Sequence, residues 1–158
     1  MLELRTRRQI ISVLRERRIH LKKSLGQNLL IDHHMLEFIV RAGEVESCDA
    51  VLEIGAGSGL LTRHLAERAG RVVTVEVDEQ MVGLFKEHTA GLENVTLLHC
   101  DVLESKSRLR EQVLEAVRAA MRQPGISRLK CIANLPFSIS TVVIPLVLES
   151  DLPVGLMV

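Results

Sequence analysis

Aromatic side chains are nearly missing from this 158-residue chain, which has no Trp, no Tyr and three Phe. A protein that grips single-stranded nucleic acid on a row of stacking platforms is therefore not expected. Cysteine is scarce as well. Cys48, Cys100 and Cys131 are odd in number and far apart. That pattern suits neither a disulfide framework nor a zinc site, and it points to reduced structural thiols in a cytoplasmic protein without a metal. No apolar run approaches the ~20 residues that cross a bilayer; the longest, 142–148, is short and contains Pro145. The first five residues lack the apolar segment of a secretory signal. With 47% hydrophobic and 25% charged residues, the chain has what one globular domain needs to bury a core.

Net charge is zero, but it is unevenly spread. Residues 1–23 carry eight basic groups against Glu3 and Glu16, and the remainder carries twelve basic and eighteen acidic groups. A basic arm on an acidic body suits a polyanion such as a phosphate backbone, although a solvated helix face gives the same count.

Along the chain, apolar spacing predicts a helix over 6–18 and, after a glycine-containing connector, a second helix capped by Asp32 and ending near 42. Alternating units follow. Strands are expected over 51–54, 71–77, 95–100, 129–133 and 154–158. Helices are expected over 60–69, 79–88, 109–121 and 140–148, the third stopped by Pro124-Gly125. Short links between alternating strands and helices imply an α/β fold, a doubly wound, mostly parallel sheet with right-handed crossovers. The last apolar run ends without a turn or cap, so a sheet truncated after its fifth strand is expected. The organisation divides into a basic, cofactor-contacting segment over 1–30 and a core over 31–158.

In such sheets ligands lie beyond the carboxyl ends of the strands, where strand order reverses. The first strand runs into Glu53-Ile54-Gly55-Ala56-Gly57-Ser58-Gly59-Leu60. Leu60 stands where a dinucleotide fingerprint wants Gly or Ala, which disfavours a dehydrogenase, and the Gly-Lys-Ser/Thr of a phosphate-binding loop is absent. Acidic-x-Gly-x-Gly-x-Gly instead resembles the first motif of class I, Rossmann-like S-adenosylmethionine-dependent methyltransferases. Two carboxylates strengthen this. Glu76 ends the second strand, where an acid can accept from both ribose hydroxyls, and Asp101 ends the third, where it can accept from an adenine amine. Glu53 has two open roles: to meet the cofactor's ammonium or to brace the loop.

The fourth strand ends in Ala133-Asn134-Leu135-Pro136-Phe137. An exocyclic adenine amine is a poor nucleophile because its lone pair is delocalised into the ring. Two acceptors, the Asn134 side chain and a neighbouring carbonyl stiffened by Pro136, can hold both N–H groups and favour a pyramidal nitrogen. Phe137 offers a face for an extruded base. Catalysis is then alignment, with no nucleophilic side chain.

With these residues in place the chain resembles the ribosomal RNA adenine dimethyltransferase family, whose relatives include the erythromycin-resistance methyltransferases and the mitochondrial transcription factor B proteins. The likeness runs from Lys22-Lys23-Ser24-Leu25-Gly26-Gln27-Asn28-Leu29-Leu30 through 53–59, Val75-Glu76-Val77-Asp78 and Asp101-Val102-Leu103 to Asn134-Leu135-Pro136-Phe137-Ser138-Ile139-Ser140. It implies that Asn28 and Leu30 contact S-adenosylmethionine from the N-terminal segment. Gly55 and Gly57 would lie against the cofactor, Glu76 would take its ribose and Asp101 its adenine. Asn134 would bridge cofactor and target amine, Phe137 would stack on the target adenine, and Lys22 and Lys23 would lie nearest the RNA. The implied activity is twofold methylation of adenine N6 in ribosomal RNA of the small subunit. Leu29 stands where the family most often has Phe, and Phe137 where many members have Tyr. Such a family also continues into further strands and a small helical domain beyond the length present here. A non-catalytic factor on the same fold, or a methyltransferase of another nucleic-acid amine, would share much of this pattern.

Overall fold

The computed structural model describes residues 7–22 and 29–158. Five strands form one parallel sheet: β1 (Asp49–Ile54), β2 (Arg71–Glu76), β3 (Val95–His99), β6 (Arg128–Cys131) and β7 (Val154–Met157), in the order β3-β2-β1-β6-β7. The order runs outward from β1 in both directions, so the carboxyl ends of β1 and β6 flank the reversal point. Leu103–Ser105 (β4) and Arg108–Leu109 (β5) make a small antiparallel hairpin beside it.

Period-two alternation sends side chains to two buried faces. Ala50, Leu52 and Ile54 of β1 pack with Val73, Val75, Leu129 and Cys131 under α5 (Glu111–Met121) and α6 (Phe137–Glu149). Val51, Val72 and Ile132 pack on the other face. There they meet Leu36 and Val40 of α2 (His33–Ala42), Leu60, Leu61 and Leu65 of α3 (Leu60–Ala66), and Leu84 of α4 (Glu79–His88). Ile10 of α1 (Arg7–Glu16) is fully buried in this second cluster, which seats the N-terminal helix on the core.

Local chemistry explains most element ends. Asp32 caps α2 by accepting from His34 N and Met35 N, and Asp78 caps α4 by accepting from Gln80 N. The helix expected over 6–18 stops at Glu16. Arg18 turns left-handed at φ 54, Arg18 N donates to Arg15 O and Ile19 N to Leu14 O. This paired closure ends a helix and turns the chain away from its axis. The helix expected from 109 begins at Glu111, because Leu109 belongs to β5 and is buried there, while Arg110 N donates to Val102 O. α6 starts three residues earlier than its apolar pattern suggests. Pro136 fixes the entry, and its carbonyl accepts from Ile139 N and Ser140 N.

A buried ionic cluster braces the end of the sheet opposite the reversal point. Asp49 lies between Arg128 Nε at 2.6 Å and Lys130 Nζ at 2.9 Å, and it also accepts from Glu46 N. Burial alone would push the Asp49 carboxyl up. The Glu46 N–H and the two cations outweigh it and hold the group below the usual carboxylate range. Lys130 is itself buried and donates to the carbonyls of Gly43 and Glu44. One ammonium thus joins β6, β1 and the residues that follow α2. Lys130→Met should cost about 2–3 kcal/mol, somewhat under the usual loss for breaking a buried pair because Arg128 still partners Asp49. Chemical denaturation of the two proteins checks this.

Candidate active site

The strand tips around the reversal point enclose one cavity of about 200 Å³. Gly55 and Gly57 from the loop after β1, Glu76 from the end of β2, Asp101 after β3, and Asn134 and Pro136 after β6 all line it. Leu29 and Leu30 close it from the N-terminal side. Asn28 and Lys23 lie outside the described residues.

The loop after β1 is held to the neighbouring strand, since Gly55 N and Ala56 N both donate to Val75 O. Gly55 has φ +87, and a Cβ placed on it would meet nothing within 4 Å. The backbone there faces open space, as a ligand lying flat against it requires. Gly59 is the opposite case. At φ +80 its added Cβ would come within 2.8 Å of Thr89 Cγ2 and 3.0 Å of Phe85 Cδ2, so close packing on α4 admits no side chain. His88 Nδ1 lies 2.9 Å from Ser58 O, a further tie between loop and helix.

Glu76 is buried, and its carboxylate is heavily used. Oε2 accepts from Gly57 N at 2.7 Å, while Oε1 accepts from Val77 N at 2.9 Å and Asp78 N at 2.8 Å. A carboxylate has about four acceptor positions, so a single hydroxyl can be taken without displacing a backbone N–H. Asp101 is exposed at the cavity edge, where Oδ1 accepts from Leu103 N in a tight turn. Arg110 Nε donates to Asp101 O and fixes the same turn from the hairpin side. Phe137 does not line the cavity. Its ring begins α6 beside Pro136 and is 92% exposed. Lys22 Nζ sits 3.0 Å from Asp78 Oδ1.

Glu53 forms the floor. It is 1% exposed and lines the cavity, with Oε2 accepting from Thr62 Oγ1. Among the described residues, Glu53 Oε1 and Thr74 Oγ1 have no hydrogen-bond partner, and register places the two residues opposite each other on β1 and β2. Burial pushes the Glu53 carboxyl up to about 7, against the pull of the Thr62 hydroxyl and with a further push from Glu76. Sequence reasoning missed Thr62 and Thr74. For Thr74 the available signal was the alternation 49, 51, 53 along β1, carried across to β2; Thr62, on α3, had none.

The sign of the pH effect follows. Between about pH 4.5 and 7 the folded chain keeps the Glu53 proton that the unfolded chain releases, so this group's contribution to stability falls as pH rises through that window. Glu53→Gln should remove up to roughly 3 kcal/mol of that decline. Urea midpoints of both proteins between pH 5 and 8 check it, and parallel curves would contradict it.

A family model described as ribosomal RNA adenine dimethylase matches residues 18–158. Ribosomal RNA small subunit methyltransferase A of Lachnoclostridium phytofermentans is 35% identical over 148 residues, covering 93% of this chain and 48% of that protein. The protein of the same name from Ligilactobacillus salivarius is 40% identical over 131 residues, covering 83% and 42%. Among solved structures, the 23S rRNA methyltransferase ErmE aligns with a TM-score of 0.60 at 26% identity, over 78% of this chain and 44% of that one. A dimethyladenosine transferase from Plasmodium falciparum aligns with a TM-score of 0.54 at 27% identity, over 77% and 38%. The chain spans about half the length of the curated relatives it matches. With a methyltransferase-type sheet, an acidic-x-Gly-x-Gly-x-Gly loop at its reversal point and a family match over most of its length, the chain belongs to the ribosomal RNA adenine dimethylase family.

Proposed function

We propose that this chain binds S-adenosylmethionine and forms the catalytic part of an enzyme that dimethylates adenine N6 in small-subunit ribosomal RNA in the cytoplasm. The observation that carries the reading is the convergence of Gly55, Glu76, Asp101 and Asn134 on one cavity. The residues present fit the cofactor: an open glycine backbone for its chain, a carboxylate with one acceptor position left for a ribose hydroxyl, and a second carboxylate at the cavity edge. The segment over 1–30 would serve this cofactor site, and the core over 31–158 would carry it.

When bound, the cofactor supplies an electrophilic methyl group on a sulfonium. The chain's own work is to hold the target nitrogen. Pro136's carbonyl is committed to the first turn of α6, so the Leu135 carbonyl, set by the proline ring, pairs with the Asn134 side chain as the two acceptors for the amine. Both hydrogens are then held, and the nitrogen lone pair is directed away from the ring. The amine grows acidic as its new bond forms, so no strong base is needed beside it. Phe137 supports the same reading, because so exposed a ring next to a cavity is a surface on which a flipped base can stack. Exposed Arg8, Arg15 and Arg18 lend the N-terminal helix and its end a positive face for RNA phosphates.

Titrating the chain with S-adenosylmethionine by calorimetry tests the first step, and absence of heat would sink the reading. Undermethylated small ribosomal subunits incubated with protein and methyl donor should gain two methyl groups on adenine, read by mass spectrometry. Asn134→Ala should abolish that gain and leave cofactor affinity within a few-fold. Glu76→Ala should weaken cofactor binding by roughly 1–3 kcal/mol. It should also lower the thermal midpoint, since three N–H groups lose their acceptor.

A further inference from the structure

The stretch that leaves α1 is tied to α4 at both of its ends. Arg17 forms a two-pronged pair with Glu87, with both N–O distances 2.7 Å, in the last turn of the helix. Lys22 pairs with Asp78, the N-cap of the same helix. Nine helical residues rise about 14 Å, and five extended residues reach at most about 17 Å. The short connection from Arg17 to Lys22 is thus long enough to run back along the whole of α4.

The two ties are not equivalent. Arg17 and Glu87 are both open to solvent, where such pairs contribute little. The Asp78 side chain is 0% exposed, against 47% for Lys22. A cation beside so buried a carboxylate offsets the cost of taking it out of water, and Lys22 supplies one at 3.0 Å. This tie also adjoins the cavity. Asp78 N donates to Glu76 Oε1, Gly57 N donates to Glu76 Oε2, and Leu29 Cδ2 would lie 3.2 Å from a Cβ on Gly57. Lys22 and Leu29 therefore flank the Glu76 carboxylate, one through Asp78 and the other through Gly57.

We propose that Lys22 is a positioning residue for the cofactor: its pair with Asp78 anchors the N-terminal segment so that Leu29 and Leu30 wall the cavity beside Glu76. The proposal rests on the cofactor reading above, and it takes Lys22 away from the RNA phosphates. Lys22→Met removes the charge and keeps the aliphatic stem, while Lys22→Arg restores a cation. Lys22→Met should weaken S-adenosylmethionine binding roughly three- to fivefold in calorimetry. It should speed hydrogen exchange at 29–31 in the ligand-free chain and leave the affinity for a short RNA hairpin unchanged, while the thermal midpoint falls because the buried Asp78 loses a cation. Lys22→Arg should recover the cofactor affinity. Asp78→Asn, which keeps the capping oxygen, should match Lys22→Met, and the double variant should be no worse than either single one.

Cofactor affinity that stays at the wild-type value in Lys22→Met overturns the proposal. So does a loss confined to RNA affinity, which would return Lys22 to the phosphates. If the wild-type chain takes up no cofactor, the cofactor reading fails on its own. Faster exchange at 29–31 in the variant would then still support the anchoring, and unchanged exchange would overturn it.

Discussion

A single carboxylate at the tip of β2 holds the functional end of this molecule in shape. Glu76 gathers N–H groups from the glycine loop after β1 and from the turn that leads into α4. Charge-assisted bonds of this kind are short and about twice as strong as neutral ones. They act on backbone, so the cavity's shape depends on main-chain atoms that substitution leaves in place. The strand order decides where this happens: β1 lies next to both β2 and β6, and the loop between them has nowhere to go but over the reversal point.

Around that centre the molecule splits its duties between two ends of the sheet. The end away from the cavity is braced by buried Asp49 and Lys130, paired with each other and with the more exposed Arg128. Among the described residues, the cavity end instead keeps buried side-chain atoms without a hydrogen-bond partner, at Glu53 and Thr74. Such atoms are expensive in a core and are commonly found where a site needs acceptors or donors in reserve.

Much of this was legible in the residues. All five parallel strands were expected in place, because β-branched runs bounded by glycine and polar turns have few other homes. The cap at Asp32 and the bounds of α4 were equally plain, though the cap at Asp78 was not foreseen. The β4–β5 hairpin was not, since strands of three and two residues with a register shift leave no periodic trace. Leu109 was assigned to a helix for the same reason: its apolar spacing continues the pattern of α5, while its backbone pairs with Leu103. The convergence of Gly55, Glu76, Asp101 and Asn134 followed from topology alone. What spacing did not reveal is how the groups are occupied: that Glu76 is nearly saturated by N–H donors, or that Lys22 finds Asp78 across 56 positions of sequence.

Glu53 carries a consequence for the chemistry of the cavity floor. Burial lifts its carboxyl to about 7, so the floor of the cavity can go without a formal charge. Stranded anions in a dry interior pull in water or distort their surroundings. A floor that can hold the neutral acid escapes that penalty.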